Sequence, residues 1–192
     1  MSFLILGLVV FLGAHSVRII ASGWREKQIS RLGEMGWKGV YSLISAVGLG
    51  LIIWGYGMAR TESPMLWTLP IWTRHLAISL TLPAFILLVA AYLPGSHIKA
   101  AVGHPMVAGV KLWALAHLLV NGKLAAVILF GAFLIWAVVD FISARRRDRL
   151  AGRTYPPVGW SRDAMAIAIG LVAWTLFAFY GHGWLIGVRP FG

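Results

Sequence analysis

Six histidines, six acidic residues and no cysteine set the chemical repertoire of this 192-residue chain. Without thiols there is no disulfide, thiolate ligand or cysteine nucleophile, so metal chemistry must use imidazole or oxygen. Asp140 is the one carboxylate placed inside an apolar run, and a partner among Arg145 and its neighbouring cations explains it without a catalytic role. No second carboxylate stands ready for acid–base work, and there is no G-x-S-x-G, phosphate loop or H-E-x-x-H. Hydrolases and nucleotide enzymes are excluded, and imidazole remains. His97 and His182 fall beyond or near the ends of apolar runs, where an interfacial position accounts for them. His75 opens a run behind Arg74 and can meet headgroups as readily as serve a site. His104, in Gly103-His104-Pro105, marks a helix start, because proline is tolerated where a helix needs no N–H. It can cap, meet phosphate or belong to a site. His15 and His117 are the deepest histidines of their runs, and an ionisable group at such depth usually faces a bundle interior or a ligand. For either one alone, a hydrogen bond to a neighbouring helix explains it equally well.

The elements that must position these residues are membrane helices. Apolar residues make up 59% of the chain and charged residues 12%, about half the charged share of an ordinary soluble domain. That excludes a conventional water-soluble protein. The net charge of +11 comes from 17 Lys and Arg against 6 Asp and Glu. Most cations sit in gaps between apolar runs, which makes them topology signals and not a nucleic-acid footprint. Residues 2–21, 39–59, 75–92, 124–143 and 164–186 each approach the ~20 residues that cross a bilayer. Residues 105–120 are shorter and carry Lys111 and His117. The Arg18–Lys38 and Arg145–Arg162 cation clusters should both be cytoplasmic, so an even number of crossings separates them and the 105–120 run must be a span. The expected fold is all-α, a polytopic bundle of six transmembrane helices with both termini outside, forming one domain over residues 1–192. Twelve cations then lie inside, four outside and Lys111 within a span. The first run lacks a basic n-region and reads as a span, not a signal peptide. The gap 145–163 is a basic loop on the cytoplasmic headgroups. Ser42, Ala46 and Gly50, and Ala164, Ala166, Ala168 and Gly170, are small residues suited to close helix approach. A groove for a flat cofactor would use the same residues.

Depth relates the two deep histidines. With the first helix entering from outside and the fourth from inside, His15 lies ~20 Å and His117 ~12 Å below the outer boundary, an offset of ~8 Å. Side chains lean toward the helix N-terminus, so on antiparallel helices the two imidazoles converge. Two neutral imidazoles with no carboxylate or thiolate nearby suit a haem iron better than zinc or calcium. His15 with His104, nearer the inner face, is the alternative pair.

The runs Phe11-Leu12-Gly13-Ala14-His15-Ser16, Trp37-Lys38-Gly39-Val40-Tyr41-Ser42-Leu43, Gly103-His104-Pro105 and Leu112-Trp113-Ala114-Leu115-Ala116-His117-Leu118-Leu119-Val120-Asn121-Gly122 resemble the NnrU family of bacterial inner-membrane proteins. That family is associated with denitrification and nitrogen-oxide metabolism and is related to the plastid zeta-carotene isomerase, a membrane haem enzyme. The resemblance implies haem b with two histidine ligands, which fall on His15-Ser16-Val17 and on the segment from Ala116 to Gly122. It adds His104 as a further cofactor-binding candidate, although the isomerase's Arg-His-Pro has Gly103 in the arginine position here. The isomerase has a cysteine three residues before its second ligand. Ala114 stands there in this chain, so exchange with a thiolate is ruled out and the isomerase activity is less secure than the haem.

Three functions of different class follow. The first is an inner-membrane haem b protein in nitrogen-oxide or isoprenoid chemistry, with an isomerase-like reaction as one form of it. The second is a non-catalytic accessory or assembly factor whose partner is a respiratory or nitrogen-oxide reductase. The third, a small-solute transporter, is weakest, because discontinuous helices in matching halves are not evident. Membrane lipid is a partner in all three, and whether the chain is an enzyme stays open.

Overall fold

The computed structural model describes residues 1–191. The chain forms α1 (Ser2–Ile20), α2 (Ser22–Glu62), α3 (Trp72–Ala91), α4 (His97–Val102), α5 (Pro105–Leu118), α6 (Leu124–Leu150) and α7 (Trp160–Leu176). A π-helical turn (Phe177–Gly181) then leads into α8 (His182–Ile186). Among the described residues the one extended pairing is an isolated bridge between Met65 and Lys123. Five helices, Ser2–Ile20, Ser22–Glu62, Trp72–Ala91, Leu124–Leu150 and Trp160–Ile186, are long and apolar enough to cross a membrane. The sixth apolar run is α5, whose 14 residues reach about 21 Å of a ~30 Å hydrocarbon layer. Large apolar side chains such as Ile20, Ile53, Ile135 and Trp184 face outward, as lipid contact requires. This is a helical, multi-pass membrane protein.

Several boundaries differ from those expected. Helix α2 begins at Ser22 and not at residue 39, because the charged stretch before it is hydrophilic yet made largely of helix formers, with Lys38 and Glu34 paired at 3.6 Å one turn apart. Gly33 breaks this helix, at φ 72° and ψ 165°. Such a backbone is open to glycine and strained for other residues, so the amphipathic and membrane parts of α2 meet at a kink. Helix α6 runs past residue 143 to Leu150. Arg147 donates to Ser143 Oγ at 2.7 Å and lies 3.8 Å from Asp140, so it is the cation, among Arg145 and its neighbours, that answers Asp140. His97 is the first residue of a helix and not part of a loop.

The chain divides into two compact units. In the unit of residues 1–68 and 122–136, α1 and α2 run antiparallel and touch through glycine. A Cβ on Gly7 would stand 2.6 Å from Ile52 N, one on Gly48 2.8 Å from Phe11 N, and one on Gly55 would strike Leu4 N. Gly48 and Gly55 are seven residues apart, the repeat of a left-handed seam. The expected stripe of Ser42, Ala46 and Gly50 is exposed instead, and Gly50 has open space beside it. The link into α6 is tied to the end of α2. Leu66 N–H donates to Gly122 O (2.8 Å), Leu124 N–H to Pro64 O (3.0 Å) and Ala125 N–H to Ser63 Oγ (2.7 Å). Gly122 has the Trp67 carbonyl where a side chain would stand.

In the unit of residues 69–121 and 137–191, α3 packs on α5 and α7. Gly109 sits against the Ala84 carbonyl and Gly170 against Ile86. Ala166 and Gly170 are buried, while Ala164 and Ala168 are exposed, so one face of the expected alanine run makes the contact. Trp174 donates to Thr81 Oγ1 at 3.0 Å. The Lys111 ammonium rests 3.6 Å from the centre of the Phe141 ring, a cation–π contact that helps a charge tolerate an apolar helix. Helix α4 is held by its first turn: Ser96 Oγ accepts from Lys99 N–H (3.1 Å), and buried Asp163 accepts from His97 N–H (3.1 Å) and Ile98 N–H (2.9 Å). Together they satisfy N-terminal donors that a helix leaves unpaired.

Candidate functional site

His15 lies on α1 one turn after Phe11. Its Nδ1–H donates to the Phe11 carbonyl at 2.7 Å, and its ring stacks on the Phe11 ring at 4.2 Å. Tyr41 of α2 (5.2 Å) and Trp136 of α6 (5.9 Å, edge-on) complete an aromatic surround. A carbonyl can only accept, so the neutral ring carries its proton on Nδ1 and its lone pair on Nε2. That is the tautomer of a histidine prepared to bind metal through Nε2, with the opposite nitrogen fixed by a backbone carbonyl. The same unit contains two buried side-chain groups with no hydrogen-bond partner, Trp136 Nε1 and Ser45 Oγ. Trp136 borders His15 directly, and Ser45 follows Tyr41 by one helical turn. Buried donors without acceptors are costly, and a ligand bearing acceptor oxygens beside His15 would satisfy them.

His117 repeats this arrangement on α5. Its Nδ1–H donates to the carbonyl of Trp113, again an aromatic residue one turn earlier, at 2.7 Å, and the Trp113 ring lies 5.1 Å away. Asn121 Nδ2 donates to the His117 carbonyl at 2.8 Å and so helps close the last turn of the helix. His182 stands in the same unit, with its ring centre 6.4 Å from that of His117 and the planes 24° apart. Its Nδ1–H donates to the Val188 carbonyl at 2.7 Å, so His182 also holds its lone pair on Nε2. It follows directly on the π turn, a feature that recurs at functional sites because it resets the side-chain register.

His104 occupies the N-cap position of α5 without capping it. Its Nε2–H donates instead to Asp148 Oδ2 at 2.8 Å, and the Tyr155 hydroxyl donates to the same oxygen at 2.9 Å. Burial first, then the bond to Asp148 and its charge, raise the Tyr155 phenol above the ordinary tyrosine range. His97 makes a parallel pairing: Nδ1–H donates to Asp163 Oδ2 at 2.8 Å and the ring stacks on Trp160 at 3.9 Å. These two histidines carry carboxylate partners, whereas a backbone carbonyl holds the Nδ1–H of His15, His117 and His182. Among the described residues no cluster of three or more His, Cys, Asp or Glu could hold a metal ion, so a metal here would rely on pairs of imidazoles and on a ligand that fills its other positions.

No curated protein and no solved structure matches the chain. The family model described as NnrU protein matches residues 3–190, a span that reaches into every helix and includes every histidine discussed above, and the chain belongs to the NnrU family.

Proposed function

We propose that this NnrU protein is a haem b protein of the bacterial inner membrane, with periplasmic termini, that holds iron on His117 and His15 and acts in nitrogen-oxide metabolism. The observation that carries the reading is the shared preparation of the two deep histidines: each donates Nδ1–H to the carbonyl of an aromatic residue one turn earlier, at 2.7 Å, and presents Nε2. Their assignment to one haem rests on the resemblance and the depth argument. The donor set fits the group. Two neutral imidazoles suffice for an iron whose remaining positions a porphyrin fills, and the orphaned Trp136 and Ser45 donors match the acceptor chemistry of a propionate. His104 is the weaker ligand candidate because Asp148 already engages its Nε2.

When bound, haem supplies one-electron redox chemistry and a site for small gases. The chain's own groups do the rest: the Phe11 and Trp113 carbonyls hold each imidazole in one tautomer, and Phe11, Tyr41 and Trp136 keep water from His15. With Ala114 in place of a thiol donor, isomerase-like chemistry has less support here than nitrogen-oxide chemistry. A non-catalytic role beside a respiratory reductase remains the second reading, since two strong imidazoles suit electron transfer without an open position.

Absorption spectroscopy of the detergent-purified protein tests this. His117→Ala should remove the Soret band and His15→Ala should weaken and shift it, while His97→Ala leaves it unchanged. A wild-type spectrum in both His15→Ala and His117→Ala refutes the assignment, and changes confined to His15→Ala and His104→Ala identify that pair instead. Anaerobic titration of the reduced protein with nitric oxide separates the roles: a stoichiometric spectral shift marks a reactive haem, and an unaltered spectrum marks electron transfer or a structural haem.

A further inference from the structure

We propose that Lys111 and Arg145 bind the phosphate of an anionic phospholipid in the leaflet that faces the Pro105 end of α5. Both residues belong to the unit of residues 69–121 and 137–191, and Phe141 joins them. The Lys111 ammonium lies 3.6 Å from the Phe141 ring centre, the His104 ring stands edge-on to the same ring at 6.3 Å, and Arg145 follows Phe141 by one turn on the same face of α6. Arg145 also reaches the turn before α5, where a Cβ on Gly103 would stand 2.7 Å from its Nη1. Both cations are half-buried, and among the described residues neither is answered by a carboxylate. Asp148, three residues beyond Arg145, already accepts from His104 Nε2 and from the Tyr155 hydroxyl, and Asp140 is paired with Arg147. The Phe141 face engages the Lys111 ammonium from one side and offers its N–H donors no oxygen. A charge within an apolar helix usually meets a partner charge or a ligand, and the chain supplies Lys111 with no partner charge.

Depth, surface and charge select a lipid over a dissolved anion. Lys111 is six residues into α5, ~9 Å from its start, and a lysine stem leans toward the helix N-terminus, which carries the ammonium to the level where headgroup phosphates meet hydrocarbon. On α6, Val138 and Ile142 border Phe141 and face outward, an apolar strip for acyl chains. The N-terminus of α5 has no side-chain cap, so the positive end of its dipole adds to the two cations on the same side. Arg146 and Arg149 are exposed at the end of α6, and a surplus of cations there favours a headgroup of net negative charge over a zwitterionic one.

The test titrates the full-length protein in detergent with phosphatidylglycerol and reads the apparent affinity from the rise in Tm, with phosphatidylcholine and inorganic phosphate titrated in parallel. Phosphatidylglycerol should stabilise the wild type, and the other two should not. Lys111→Met and Arg145→Gln should each weaken the phosphatidylglycerol affinity roughly fivefold, and Lys111→Arg should keep it. Arg149→Gln, exposed at the same end of α6, measures the general attraction of the basic segment and should weaken the affinity less. No stabilisation of the wild type, an affinity unchanged in Lys111→Met or in Arg145→Gln, or an equal loss in Arg149→Gln overturns the proposal. Equal stabilisation by phosphatidylcholine or by inorganic phosphate overturns an anionic lipid as the occupant. If Lys111→Met does not fold, Arg145→Gln at the charged end of α6 decides the matter by itself.

Discussion

Gly48→Ala joins the packing of this protein to its candidate site in one substitution. The new Cβ would stand 2.8 Å from Phe11 N and 3.0 Å from Phe11 Cα and Cβ, whereas unstrained carbon contacts begin near ~3.5 Å. Helices α1 and α2 must part by about half an ångström or more at this level. Overpacking of this kind costs roughly 1–3 kcal/mol, and the better helix propensity of alanine returns about 0.5–1 kcal/mol. A net loss of about 1–2 kcal/mol is expected, or roughly 2–8 °C in Tm for a chain of this size. Gly50→Ala is the control. It lies on the same helix with open space beside it and should keep or slightly raise stability. The consequence reaches His15, because the displaced residue is the one whose carbonyl holds its Nδ1 and whose ring stacks on it. Thermal unfolding in detergent, followed alongside the Soret band of the proposed haem, measures both effects. If Gly48→Ala unfolds with Gly50→Ala and leaves the spectrum unmoved, the glycine seam neither holds α1 on α2 nor positions His15.

Three further outcomes are expected. Reporter fusions after Arg31 and after Asp148 should report the same, cytoplasmic side; opposite sides would mean that α5 does not cross. Asp163→Ala strips the acceptor from two backbone donors and from His97 Nδ1 and should lower Tm, a fall that Asp163→Asn only partly reproduces; a neutral result would show that α4 is held by other contacts. Tyr155 binds its proton more tightly in the folded protein than the unfolded chain does, so above the ordinary tyrosine pKa of about 10 the unfolded state binds fewer protons and stability falls as pH rises. Tyr155→Phe should flatten that alkaline loss, and an unchanged alkaline profile would show that the Asp148 bond does not control it.

The residues explain how far the sequence could be read. Hydropathy located the five long apolar helices because a membrane selects composition over some twenty consecutive positions, whereas the 14-residue α5 needed the argument from charge parity. It misplaced the start of α2 and the end of α6 for one reason: the stretches around Glu34 and Arg147 are too charged for lipid but entirely suited to helix, and the boundary of a membrane is not the boundary of a helix. The small-residue seam was half legible. Both the four-residue stripe through Gly50 and the seven-residue pair Gly48 and Gly55 are present in α2, and only the facing backbone of Phe11 and Leu4 decides which one is used.

The candidate site divides in the same way. The local preparation of His15 and His117 is encoded within five residues, since a ring nitrogen one turn above a backbone carbonyl can bond it wherever the helix is regular, and both sequences repeat aromatic-x-x-x-His. His182 depends on irregularity. Its place beside His117 requires a π turn over Phe177–Gly181 and a left-handed Gly187, and neither has a hydropathic or periodic signature, so counting at 100° per residue from α7 assigns its side chain to the wrong direction.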